Sequence, residues 1–205
     1  MSYTTREAWL SAVVAHFKPD FAAHGYPLPD RLRVTCGWPS KGALAKARVI
    51  GQCWYASTSA DGSVEISISP YLADPVEVGE TLLHELDHAA VGPGHGHKGP
   101  FKTLALKLGM EGPMQSTRPG KELTARLNAL AQQLGAYPHA KLNPEQIKKQ
   151  GTRLLKAKCV RCGYTVRITK KWIDEVGLPV CPSPSKTHPP TALTLTKTIT
   201  GEIDA

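Results

Sequence analysis

Apolar residues first recur at helical spacing: Trp9, Val13 and Phe17 stand four apart and predict a helix over about Thr5–Phe17. Proline and glycine then punctuate "KPDFAAHGYPLPD". Three short runs follow, "RLRVTCGW", "RVIGQCWYA" and "SVEISISPYL", rich in β-branched and aromatic residues, with "SADGS" between the last two. They predict a small antiparallel sheet. The stretch "ADPVEVGETLLHELDHAAVGPG" carries both a helix start and a helix stop. Asp74 caps, Pro75 takes the first helical position and Glu77 completes a capping box. Val78, Leu82, Leu86 and Ala89 form an apolar stripe, and Gly92-Pro93-Gly94 ends the helix. Two more helices are expected, one over about Pro100–Leu108 and one in "GKELTARLNALAQQLG", which Gly135 terminates. After the turn formers of "AYPHAKLNPEQ" the chain becomes strongly basic. No internal repeat or low-complexity tract interrupts this order.

A chain of 205 residues is long enough for one core domain plus a small appended module. It opens without a basic segment followed by an apolar run, and no apolar stretch approaches a bilayer's thickness. A cytoplasmic protein with no membrane partner is expected. The net charge of +8 is concentrated at one end: residues 1–140 carry 13 Lys+Arg against 12 Asp+Glu, and residues 141–205 carry 12 against 5. That asymmetry predicts two modules, 1–140 and 141–205, the second facing a polyanion. The five cysteines, at 36, 53, 159, 162 and 181, are odd in number and include a C-x-x-C pair. Reduced thiols and metal binding are expected rather than a disulfide framework, with Cys36 and Cys53 as small buried hydrophobes in strand-like surroundings.

Candidate chemistry concentrates in "HELDHAAVGPGHGH", which places four histidines between His84 and His97. Residues i and i+4 of a helix share a face, so His84 and His88 can aim at one ion with Glu85 beside them. This is the logic of H-E-x-x-H: the metal brings the pKa of its bound water toward about 7, and the glutamate takes the proton as that water attacks a carbonyl. Glu85 would then return the proton to the leaving amine. A hydrolytic zinc needs three protein ligands and an open fourth position. The third ligand must come from beyond Gly92-Pro93-Gly94, and both His95 and His97 qualify by reach. Asp87 reads as a solvated helix position, or as a carboxylate orienting a ligand histidine. Tyr71 and the loop histidines are the available oxyanion partners.

Here the sequence resembles the SprT-like zinc metallopeptidases, the family of the DNA–protein crosslink protease Spartan. Members show H-E-x-x-H, a glycine-rich turn, and a third histidine four residues before an aromatic that begins a helix. In this chain that aromatic is Phe101, in "HKGPFKTLALKLGM", and four residues back is His97. The flanks "CGWPS", "ISPYLADPVEV" and "LALKLGMEGPM" are similar to bacterial and phage members, and the resemblance runs from about residue 30 to about 181. The chain departs from the family in the extra His95, in Lys98 where glycine is usual, and in Asp87 where an apolar or small residue is usual. The resemblance implies His84, His88 and His97 as ligands of a catalytic zinc and Glu85 as the catalytic base. It also implies protein substrates on, or crosslinked to, DNA.

The basic module holds "KAKCVRCGYTVRITKKWIDEVGLPVCPSPSKTH". Cys159 and Cys162 form a zinc knuckle, with Cys181 at a plausible return distance. Family members commonly complete the site with a second close cysteine; Pro182-Ser183-Pro184-Ser185 stands there instead, and His188 is the substitute candidate for a second, structural zinc. A ribbon that no longer binds metal tightly is the alternative. Around it lie Lys148, Lys149, Arg153, Lys156, Lys158, Arg161, Arg167, Lys170 and Lys171, with Tyr164 and Trp172 interleaved. Phosphate neutralisation plus aromatic stacking holds nucleic acid without reading sequence, so DNA is the expected partner. The expected class is α+β: a zincin-like catalytic domain, with a small antiparallel sheet and helices carrying H-E-x-x-H, then a small zinc-ribbon-like β module. The competing reading is a non-catalytic nucleic-acid-binding protein whose H-E-x-x-H metal site is structural.

Overall fold

A computed structural model describes residues 3–42, 48–143, 146, 154–183 and 188–196. The chain is α+β and divides into two compact units, Met1–Ile147 and Lys148–Ala205. Among the described residues, no helix is long and apolar enough to cross a membrane.

The first unit opens with helix α1, Arg6–Ala23, whose N-terminus Thr5 caps by accepting the Ala8 amide at 3.2 Å. The helix runs past Phe17, where the sequence pattern predicts an end, and carries Pro19 in its interior. Proline there forfeits one helical hydrogen bond. Extending the helix buries Phe21 completely alongside Phe17, and an apolar side chain of that size recovers about 1.5–3 kcal/mol. Gly25, at φ 81°, ends the helix in the left-handed region, with the Tyr26 amide donating to the Phe21 carbonyl at 2.9 Å.

Strands β1 (Leu32–Cys36), β2 (Gly51–Trp54) and β3 (Val64–Ile68) form one sheet in the order β1-β3-β2. β2 pairs antiparallel with β3, but β1 pairs parallel with it, so the sheet is mixed and the expectation of an antiparallel one is corrected. Burial explains the order. Val64, Ile66 and Ile68 are all buried on one face of β3, which takes the centre; β1 and β2 are less buried and take the edges. The alternation within a strand fixes which face is buried, and it carries no record of which neighbour lies alongside.

Helix α2, Pro75–Val91, packs against β2 and β3 on one side and against α3 (Pro100–Lys107) and α4 (Lys121–Leu134) on another. Asp74 accepts the amides of Val76 and Glu77 at 3.0 Å each. Val78, Leu82, Leu86 and Ala89 are buried, and Gly92, at φ 78°, closes the helix by donating to the His88 carbonyl. Gly79 lets α4 approach: a Cβ there would stand 3.0 Å from Leu127 Cδ2. Between α3 and α4 the chain makes a short hairpin, β4 (Met110–Glu111) with β5 (Arg118–Pro119), which the sequence pattern does not predict.

In the second unit, β6 (Leu154–Lys158) and β7 (Thr165–Thr169) form a hairpin, helix α5 (Lys170–Val176) follows, and β8 (Thr194–Leu195) adds to the free side of β6. Its buried apolar cluster among the described residues is only Ala157, Cys159, Cys181 and Leu193.

Candidate metal centres and the adjoining cleft

His84 and His88 project from one face of α2, a turn apart, and the glycine-rich loop after α2 returns His97 to them. The Nε2 atom of His97 lies 3.2 Å from that of His84 and 3.1 Å from that of His88. Gly92, Gly94, Gly96 and Gly99 all have positive φ, which lets the loop turn back within so few residues. His95 is exposed in that loop and outside the cluster. Phe101, fully buried at the start of α3, packs on all three rings at centroid distances of 5.1, 4.4 and 5.0 Å to His84, His88 and His97. Burial, then the neighbouring imidazoles, push His84 down to about 3; the same causes push His88 down to about 4. Burial also lowers His97. All three are therefore neutral at neutral pH, the form in which imidazole nitrogen ligates a metal. The cluster could hold a metal ion. His97→Ala is expected to abolish metal uptake there and His95→Ala to leave it intact, as metal content per chain would show; the reverse pattern would reassign the ligand.

Glu85 is nearly buried against β2 while still lining the same cleft as the histidines. Burial pushes its carboxyl up to about 8, while the Cys53 amide, donating to it, pulls the other way. The fit is close. A Cβ on Gly51 would stand 2.5 Å from Glu85 Oε1 and 2.8 Å from Cγ, so only glycine leaves the carboxyl its place. The Cys53 thiol is half-buried and is pushed up to about 12 by burial and by Glu85. Cys36 is also half-buried, so neither cysteine is the fully buried hydrophobe that the sequence suggests.

These groups line one cleft of about 470 Å³. One wall is the segment from Arg48 through β2 to Tyr55; Glu80, Thr81, His84, Glu85 and His88 come from α2; Gln115, Ser116 and Thr117 come from the β4–β5 hairpin. The sequence pattern does not single out Gly51, Tyr55 or Thr117. The signal for Gly51 was present: a lone glycine inside an apolar strand run marks a close approach. For Thr117 no local signal existed. Tyr71 does not line this cleft; its ring lies under two cations, Arg48 at 4.5 Å and Lys141 at 3.9 Å.

Asp87 is not the solvated position expected. It is fully buried, neither carboxylate oxygen has a hydrogen-bond partner among the described residues, and burial pushes it up to about 8. Its place on α2 follows from the three-residue step between His84 and Asp87: the wide buried arc of this helix takes in the position beside the histidines. No structural partner accounts for its choice there.

Protein-family models, curated proteins and solved structures have all been compared with this chain, and none matches.

In the second unit, the turn between β6 and β7 carries Cys159 and Cys162, closed by the Gly163 amide donating to the Cys159 carbonyl at 3.0 Å. The segment before β8 brings Cys181 and His188 to them. Cys159 Sγ lies 3.6 Å from His188 Nε2, and Cys162 Sγ 3.5 Å from Cys181 Sγ; all three thiols are free. This second cluster could also hold a metal ion.

Of the residues expected to meet nucleic acid, Lys148, Lys149 and Arg153 lie outside the described residues. Arg161, Arg167, Lys170, Lys171 and Trp172 are exposed. They are not equivalent. Lys170 pairs with Asp174 at 2.6 Å and Lys171 with Glu175 at 3.8 Å, so α5 partly neutralises its own cations. Lys156 and Arg167 stand directly opposite each other across β6 and β7, both exposed, with Lys158 on the same face. Among the described residues no carboxylate pairs with them. Like charges in opposed positions destabilise a hairpin, so this pairing is not explained by stability.

Proposed function

We propose that this protein is a zinc-dependent peptidase of the SprT-like type, zincin-like in its first unit and zinc-ribbon-like in its second, which acts on DNA-associated proteins. The observation that carries the reading is the convergence of three neutral imidazole Nε2 atoms beside one buried carboxyl in a single cleft.

The donor sets suit zinc. Nitrogens about 2.0–2.1 Å from a tetrahedral zinc stand about 3.3–3.4 Å apart, close to the 3.1 and 3.2 Å separations of the histidine cluster. Thiolates about 2.3 Å from zinc stand about 3.8 Å apart, against 3.5 Å between Cys162 and Cys181. His84, His88 and His97 supply three of the four ligands a zinc takes, and a fourth position would be left for water or substrate, the pattern of a catalytic site. Cys159, Cys162, Cys181 and His188 supply a full set of four, the pattern of a structural one.

A zinc held by His84, His88 and His97 would supply a Lewis acid for the scissile carbonyl and a water acidic enough to attack it at neutral pH. Glu85, beside the histidines in the same cleft, would accept the proton from the attacking water. It would then deliver the proton to the leaving amine. Gly51 and the Cys53 amide hold the carboxyl for both steps. A purely structural metal site would have no use for a cradled glutamate, which favours catalysis over the binding-protein reading. The Lys156, Lys158 and Arg167 face, with Arg161, Tyr164 and Trp172 exposed nearby in sequence, supports recruitment by phosphate contacts and base stacking.

The test is cleavage of a DNA-bound protein by the zinc-loaded chain. A chelator should abolish cleavage, zinc should restore it, and rising salt should weaken recruitment to DNA. Cleavage unaffected by chelation would overturn the metallopeptidase assignment, and recruitment indifferent to DNA and salt would overturn the assignment of its substrates.

A further inference from the structure

We propose that Thr117 is a positioning residue for the metal: its hydroxyl accepts the Nδ1 proton of His84 and so holds that imidazole with Nε2 directed at the ion. This rests on the reading of His84, His88 and His97 as a zinc site.

The contact is 2.9 Å between His84 Nδ1 and Thr117 Oγ1. Its direction follows from what a metal requires. The nitrogen facing the other two histidines is Nε2, so Nε2 must offer its lone pair and the ring proton must sit on Nδ1. Thr117 Oγ1 then acts as acceptor. Among the described residues, His84 alone of the three has its Nδ1 hydrogen-bonded by a protein group. The packing of Phe101 restrains the planes of all three rings, but a phenyl ring cannot select which nitrogen carries the proton.

Thr117 is built for this task rather than placed on a free loop. It is 8% exposed and lies between the helical turn Met114–Ser116 and β5. The Ser116 amide donates to the Pro113 carbonyl at 2.8 Å, Glu111 pairs with Arg118, and the Gly120 amide donates to the Gly109 carbonyl at 2.8 Å. These contacts fix the backbone on both sides. A β-branched side chain is stiff at χ1, so a fixed backbone also fixes the hydroxyl. The hairpin that the sequence pattern misses therefore serves as the strap that orients one ligand. Partners of ligand histidines of this kind are typically worth about 10- to 100-fold in metal affinity.

The experiment is zinc affinity of the full chain, measured by competition with a chromophoric chelator, following the site that His97→Ala removes. Thr117→Val, nearly isosteric and lacking the acceptor, should weaken that site by about 10- to 100-fold and leave the cysteine site unchanged. Thr117→Ser, which keeps the hydroxyl, should stay within about threefold of wild type. Unchanged affinity in Thr117→Val would overturn the proposal, as would a serine variant weakened by the full 10-fold or more. Thr117→Ala, smaller and also lacking the acceptor, decides the matter if the valine variant fails to fold: weakening by about 10-fold or more is expected, and unchanged affinity would overturn the proposal. If wild type takes up no zinc at the histidines, the underlying site reading fails, a result distinct from wild-type uptake that Thr117 does not influence.

Discussion

On the proposed peptidase reading, Gly51→Ala should slow peptide hydrolysis by about 100-fold or more while leaving zinc uptake at the histidines unchanged. The methyl group would occupy space held by the Glu85 carboxyl, 2.5 Å from Oε1 and 2.9 Å from Cδ. Glu85 cannot swing aside freely, since it is only 7% exposed and α2 is packed on β2. Either the carboxyl rotates off the Cys53 amide or β2 shifts outward. Each outcome moves the base by an ångström or so from the proton it must take, and displacements of that size cost about 100-fold. The atoms that a Cβ on Gly51 would meet first all belong to Glu85, so metal content should hold at the wild-type value. Steady-state hydrolysis together with zinc analysis checks both halves. An alanine variant of normal activity would show that the carboxyl is not held where the structure places it.

The second large effect concerns the Cys159, Cys162, Cys181 and His188 cluster. Cys159→Ser, or chelation strong enough to strip this site, should unfold the second unit and spare the first. Two of the four buried apolar residues in that unit are themselves Cys159 and Cys181. A hydrophobic core of this size cannot offset the entropy of ordering the hairpin and the return segment. Structural zinc in small domains contributes an apparent stabilisation of about 10–16 kcal/mol at neutral pH, which makes folding and binding one event. The first unit has its own core of Trp9, Phe17, Phe21, Ile66, Leu82 and their neighbours, without a metal in it. Amide protection should therefore collapse for residues 154–183 and 188–196 and persist in α1, α2 and α4. Protection unchanged in both units would mean that the four ligands are not a folding element.

How far the sequence carries depends on whether the determinant is local. Helix α2 can be read in full because every signal lies within it: the Asp74 cap, the apolar stripe and Gly92. The histidines of α2 follow from the helical repeat. Reach alone leaves His95 and His97 open, because a glycine-rich loop of this length can present either; only the resemblance to the SprT-like family, which places the third histidine four residues before an aromatic, implies His97, and His97 is the one found beside His84 and His88. Non-local determinants escape. The parallel pairing of β1 depends on β3 being the most buried strand, which no run of eight residues reports. The continuation of α1 through Pro19 depends on a distant pocket for Phe21. Thr117 belongs to a hairpin of two-residue strands, too short to leave a period. α5 was hidden because "KKWIDEV" reads as a basic patch before it reads as a helix. In each case the missing information is the identity of the partner across the fold.

The central claim is that Glu85 is the base for a hydrolysis whose metal is held by His84, His88 and His97. The most direct measurement is the hydrolysis rate of a DNA-associated protein substrate by wild type and Glu85→Gln at equal, verified zinc content. Gln keeps the size of the side chain and cannot accept the proton. General-base loss costs about 100- to 10,000-fold, so the account predicts a fall of that order with zinc unchanged. Equal rates in the two zinc-loaded proteins would contradict it.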